Sequence, residues 1–169
     1  MTSAFIFPGQ GSQAVGMGKE LADSYPAAKA VFEAVDDALD QKLSSLMFEG
    51  PEDQLRLTEN AQPAIMAVSV AVLRVLESQG GLNLAVAASH VAGHSLGEYT
   101  SLTALSSLSL TDTAKLLRLR GKAMQNSFPS GEGAMAAILG LDIDEVRETI
   151  NSSEIKSVCQ IANDNAPGQ

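Results

Sequence analysis

The sequence predicts an α/β fold, and three observations lead to it. Ala4 to Phe7 is a short apolar run stopped by Pro8-Gly9, as a buried strand entering a loop would be. Leu84 to Ala92 is a second apolar run, ending in Gly93-His94-Ser95-Leu96-Gly97. The segments between them are helical in period and long enough for a crossover, so the two strands are expected to be parallel and adjacent.

From Lys19 to Met47, residues Val31, Val35, Leu39, Leu43 and Leu46 fall on one stripe at helical spacing, and Pro26 divides the stretch into a short and a longer helix. A further helix is expected after Thr58-Glu59-Asn60-Ala61-Gln62-Pro63, with Thr58 or Asn60 as cap and Pro63 in its first turn. Its body, Ile65 to Leu76, is apolar nearly all round, which marks a helix buried in a larger body, and Gly80-Gly81 closes it. A helical stretch follows the second strand from Glu98. Another runs from about Ser109 to Ser127, with Asp112 at capping-box spacing from Ser109 and an inner face of Leu116, Leu119 and Ala123.

After Phe128-Pro129-Ser130-Gly131 the pattern becomes β-α-β. Ala134 to Leu141 and Ser157 to Ala162 read as strands around a helix capped by Asp142 with Glu145. Two parts are therefore expected, a large α/β subdomain over 1–127 and a separate small β-α-β subdomain over 128–169.

The chain has 169 residues, 45% of them apolar, a composition that argues against a disordered chain. A formal charge of −9 argues against binding a nucleic-acid backbone or an anionic membrane. An anionic substrate would have to be held by locally placed cations. Cys159 is the one cysteine, so no intrachain disulfide can form, as suits a reducing cytoplasm. The N-terminus lacks the basic region and long apolar run of a signal peptide, and no stretch is expected to span a membrane.

Gly93-His94-Ser95-Leu96-Gly97 is a G-x-S-x-G pattern between an apolar strand and a helical stretch. Small residues two before and two after the serine permit a sharp strand-to-helix turn, a nucleophile elbow, that exposes Ser95 Oγ. The helix N-terminus supports negative charge there, and the Leu96 amide can donate to the oxyanion of an acyl-transfer intermediate. His94 is adjacent to Ser95 on the turn and cannot easily bring its imidazole to Oγ, and His90 lies on the strand, so neither is a suitable base. Pro8 to Ala14 contains G-x-G-x-x-A after a strand. A dinucleotide site would also need an acid on a second strand, whereas Asp36 and Asp37 lie in a helical pattern. A loop that carries Gln10 toward Ser95 suits the strand order better. Arg118 and Arg120 lie on a mostly apolar helix, and Gly121 leaves space beside Arg120 for a group to approach. An arginine in a cleft can hold a carboxylate through two parallel hydrogen bonds.

These segments together resemble the malonyl-CoA:acyl-carrier-protein transacylases, relatives of the acyltransferase domains of fatty-acid and polyketide synthases. The likeness rests on Phe7 to Gln13, Thr58 to Ala64, Gly93 to Tyr99, Leu119 to Met124, Gly133 to Ala137 and Asn165 to Gln169. It implies a hydrolase-like parallel-sheet large subdomain over 1–127, followed over 128–169 by the first half of a small, here incomplete, ferredoxin-like α+β subdomain. It also implies that Ser95 attacks the malonyl thioester and passes the group to the pantetheine thiol of acyl carrier protein, in fatty-acid biosynthesis. Gln10 and the Leu96 amide would form the oxyanion hole, and Arg120 would pair with malonate's free carboxylate. Leu96 matches the malonyl-selective pattern. No cofactor or metal is implied; the partners are malonyl-CoA and acyl carrier protein, with no nucleic acid or membrane. Two departures stand out. Ala104-Leu105-Ser106-Ser107 replaces a turn where the family usually shows glycine, and the family's catalytic histidine comes after the point where this sequence stops. The 169 residues alone are therefore expected to be inactive. The competing readings are a serine hydrolase of α/β-hydrolase type and a non-catalytic fragment.

Overall fold

A computed structural model describes residues 3–127, 133–154 and 157–169. The chain divides into two compact units, Met1–Phe128 and Pro129–Gln169. The expected boundary segment at 128–131 lies outside the described residues.

The first unit begins with β1 (Ser3–Phe7), which pairs in parallel with β2 (Ala88–Gly93); the register runs from Ser3 opposite Ala88 to Phe7 opposite Gly93. The parallel, adjacent pair expected from the sequence is present. The second strand is shorter than expected, however. Leu84–Ala87 forms a short helical turn, α6, closed by the amides of Val86 and Ala87 on the Asn83 carbonyl. The β1 ladder begins at Ser3, so residues before Ala88 have no strand to pair with among the described residues.

Between the strands come α1 (Lys19–Ser24), α2 (Pro26–Leu39), α3 (Leu43–Glu49), α4 (Glu52–Arg56) and α5 (Thr58–Gly80). Pro26 opens α2 at the position where its missing N–H costs nothing. Asp40 in the left-handed region separates α2 from α3, and the buried Asp36 carboxylate accepts from the Ser44 amide at 2.8 Å and its hydroxyl at 2.6 Å. This capping contact ends the single long stripe read from the sequence.

α5 starts earlier than expected, so Thr58 and Asn60 lie inside it and Pro63 is an interior residue. Asn60 instead donates to the Gln54 carbonyl of α4 at 2.8 Å. By length and composition α5 could cross a membrane, contrary to the sequence expectation, but 56% of its apolar window is buried in the unit's own core. There Met66, Val70 and Ala67 pack with Phe32, Val35, Leu43, Leu55, Leu96 and Leu117. That core amounts to a layer of helices closed around α5.

After β2 come α7 (Leu96–Ala104) and α8 (Leu110–Gln125). Ser109 caps α8 as expected, accepting from the Asp112 amide at 3.0 Å. The buried face of α8 is not the expected one. Thr113, Ala114, Leu117 and Gly121 face inward, whereas Leu116 and Ala123 are exposed and Leu119 is 66% exposed. Leucines at 116, 117 and 119 allow more than one apolar stripe, and the small residues decide the rotation by letting α8 approach α5 and α2 closely.

In the second unit α9 (Ile143–Ser152) carries the full Asp142/Glu145 capping box that was expected. The strands expected over 134–141 and 157–162 are not present among the described residues; those segments have no regular structure. A strand needs a ladder partner, and in a split β-α-β arrangement the two strands flanking the helix leave a gap for a third. A helix satisfies its hydrogen bonds within itself, and so only α9 forms.

Candidate functional site

The site forms where β2 turns into α7. Ser95 sits at the turn with φ 55° and ψ −109°, a backbone conformation rarely held by a side-chain-bearing residue and costing about 1–3 kcal/mol. Three contacts over-determine it. The His94 amide donates to the Phe7 carbonyl at 3.3 Å, and the Gly97 and Glu98 amides donate to the His94 and Ser95 carbonyls at 2.8 and 3.2 Å. Glycine is required on both sides of the serine. A Cβ on Gly93 would lie 2.0 Å from the Gly97 carbonyl, and one on Gly97 would lie 2.4 Å from the Phe7 oxygen. The turn leaves Ser95 exposed while Leu96 is fully buried.

Arg120 of α8 reaches this turn, its Nη2 donating to Ser95 Oγ at 2.9 Å. Its Nη1 donates to Gln62 Oε1 at 2.6 Å, and its guanidinium lies 5.9 Å from the centre of the Tyr99 ring. Gly121 does not leave the open space anticipated beside Arg120. A Cβ there would lie 2.5 Å from Glu59 Cα and 2.7 Å from the Thr58 oxygen, so the glycine is where α8 and α5 touch. This contact fixes how far Arg120 stands from Ser95.

The Pro8–Gln10 loop also closes on the turn. The His94 imidazole lies against Gly9, and Gln10 Nε2 donates to Thr58 Oγ1 at 3.3 Å. Ser95 and Arg120 are thus in direct contact, and Gln10 is tied to the first residue of α5, the helix that α8 packs on. His90 is exposed on β2, with Nδ1 3.1 Å from Ser89 Oγ. Arg118, the second arginine, turns to a different partner, donating from Nη1 to Asn60 Oδ1 at 2.6 Å, while its buried Nη2 has no hydrogen-bond partner among the described residues. Burial pushes the Arg118 guanidinium below its ordinary pKa, with Glu59 opposing the shift. Among the described residues no cluster of metal-ligating side chains is present.

Reading the sequence missed Gln62 and Tyr99 as members of this site. Gln62 carried a usable signal, being a polar residue immediately before Pro63 at the start of an otherwise apolar helix.

The family model described as acyl transferase domain matches residues 4–166. The chain belongs to the acyl transferase family. It is 48% identical over 167 residues to the malonyl CoA-acyl carrier protein transacylase of Bacillus subtilis, covering 98% of this chain and 51% of that one. It superposes with a TM-score of 0.93, at 58% identity, on the crystal structure of an acyl-carrier-protein S-malonyltransferase from Bartonella henselae, covering 99% of this chain and 53% of that one. A malonyl-transacylase solved in complex with a type II PKS acyl-carrier protein matches with a TM-score of 0.90 at 38% identity, over 99% of this chain and 53% of that one. The chain therefore spans about half the length of the relatives it matches. These structures confirm the mixed α/β fold.

Proposed function

We propose that this chain is the part of a malonyl-CoA:acyl-carrier-protein transacylase that carries the nucleophile and the carboxylate-binding arginine. The observation that carries the reading is the 2.9 Å contact between Arg120 and Ser95. It puts a cation directly at the hydroxyl of a serine held in an exposed, strained turn, where the arginine can exchange that contact for a charged group on a bound acyl chain. A thioester whose acyl group ends in a carboxylate offers the arginine a partner beside the serine, and a simple ester offers it no charge to bind. This favours acyl transfer from malonyl-CoA over the serine-hydrolase alternative.

In this reading Ser95 Oγ attacks the thioester carbonyl. The Leu96 amide and Gln10 Nε2 donate to the oxyanion, and Gln10 leaves Thr58 to do so. The tetrahedral intermediate collapses with loss of the CoA thiol. The pantetheine thiol of acyl carrier protein then attacks the Ser95 ester and regenerates the hydroxyl. Arg120 cannot serve as the base for Ser95, because a guanidinium has no acceptor. In this reading the base comes from the half of the relatives' length that this chain does not span. The second unit is then the first half of a ferredoxin-like subdomain, a reading supported by α9 and its capping box between two apolar runs. The large part would be the hydrolase-like subdomain, acting without cofactor in cytoplasmic fatty-acid biosynthesis.

The test is acyl-enzyme formation in the full-length protein, followed by intact mass. Malonyl-CoA should add one malonyl group, and Ser95→Ala should add none. Arg120→Ala should slow malonyl capture by about two orders of magnitude while acetyl capture holds, since a desolvated charge pair is worth several kcal/mol. A malonyl adduct on Ser95→Ala, or ester hydrolysis outrunning transfer, would overturn the assignment.

A further inference from the structure

We infer that Gln62 is a positioning residue that selects which edge of the Arg120 guanidinium faces the substrate; this rests on the carboxylate-binding role proposed for Arg120. Gln62 is completely buried near the start of α5. Its Oε1 accepts from Arg120 Nη1 at 2.6 Å, and its Nε2 points at Met124 Sδ, 3.3 Å away. The orientation of the amide is fixed by chemistry. Arg120 has only donors, so a flipped amide would set Nε2 against another N–H.

The donor end is therefore left facing a thioether, a weak acceptor, in a fully buried place. A methionine or leucine would fill the same volume without that uncompensated amide, and burying a poorly satisfied donor is unfavourable. Packing alone does not account for glutamine here, but the arginine does. With Nη1 occupied by Gln62, rotation of the guanidinium is restrained and Nη2 is left directed at Ser95 Oγ. The Tyr99 ring beside the guanidinium limits its tilt. An arginine on a flexible stem would otherwise lose that aim to rotamer freedom.

The consequence is a split between substrates. In the full-length protein, Gln62→Met removes the acceptor while conserving volume. It should raise KM for malonyl-CoA about tenfold to a hundredfold, the worth of a hydrogen bond to a charged group, with a smaller change in kcat. Capture of an acetyl thioester, which has no carboxylate to place, should fall by much less, so the malonyl-to-acetyl ratio drops. In an Arg120→Ala background the same substitution should no longer alter the malonyl-to-acetyl ratio, because the two residues act through one contact.

If Gln62→Met fails to fold, Gln62→Glu carries the test. It keeps the acceptor and adds a charge that competes with the substrate carboxylate, so the malonyl KM should rise at near wild-type Tm. An unchanged malonyl-to-acetyl ratio in a folded Gln62 variant, with Arg120→Ala still selective against malonyl, would overturn this inference alone. An unchanged ratio in Arg120→Ala itself would instead remove the reading on which it rests.

Discussion

The helical core of the first unit and the helix of the second show two ways in which a sequence becomes regular structure. α5 has no side-chain cap and an interior proline, yet eleven of its residues, Asn60 to Leu73, are buried against neighbouring helices. α9 has a complete capping box and buries none of its residues. Tertiary burial holds the first against poor local signals, and local signals hold the second without burial. The same contrast explains the missing strands beside α9. Helix hydrogen bonds close within four residues, whereas a strand has none of its own.

The contrast can be broken most forcefully in the core. Leu117→Ala should destabilise the first unit by about 2–5 kcal/mol, read as a fall in the denaturation midpoint, since its fully buried side chain leaves a cavity. Val146→Ala in α9 should stay within about 0.5 kcal/mol. Equal losses would mean that α9 is packed as firmly as α8.

The caps sharpen the point at intermediate size. Ser109→Ala removes the oxygen that accepts from the Asp112 amide, and should lower global stability by about 1 kcal/mol because α8 belongs to the core. Asp142→Ala removes a similar cap but should speed amide exchange only within α9, leaving the main unfolding transition in place. Accelerated exchange spreading through α5 and α8 would contradict this.

The smallest effect concerns Ser106, which holds φ 59° in the turn after α7. Ser106→Gly relieves that conformation at the cost of added freedom in the unfolded chain, so a net gain of at most about 1 kcal/mol is expected. A loss on thermal denaturation would show that the Ser106 side chain makes a stabilising contact.

Several features were legible in the residues alone because their causes are local. Gly93 and Gly97 flank Ser95 since no Cβ fits there, and Pro26, Ser109 and the Asp142/Glu145 pair mark helix starts whose groups lie within a turn of one another. The parallel pairing of β1 and β2 followed from helical crossovers, which restrict the possible topologies. Tertiary structure decided the rest. Which face of α8 turned inward depended on how closely α5 could approach Gly121, and the length of β2 depended on where β1 begins. The pairing of Arg120 with Gln62 and Ser95 joins three elements distant in sequence. No periodicity or spacing encodes such a contact, because it exists only once packing has set the distance between two helices.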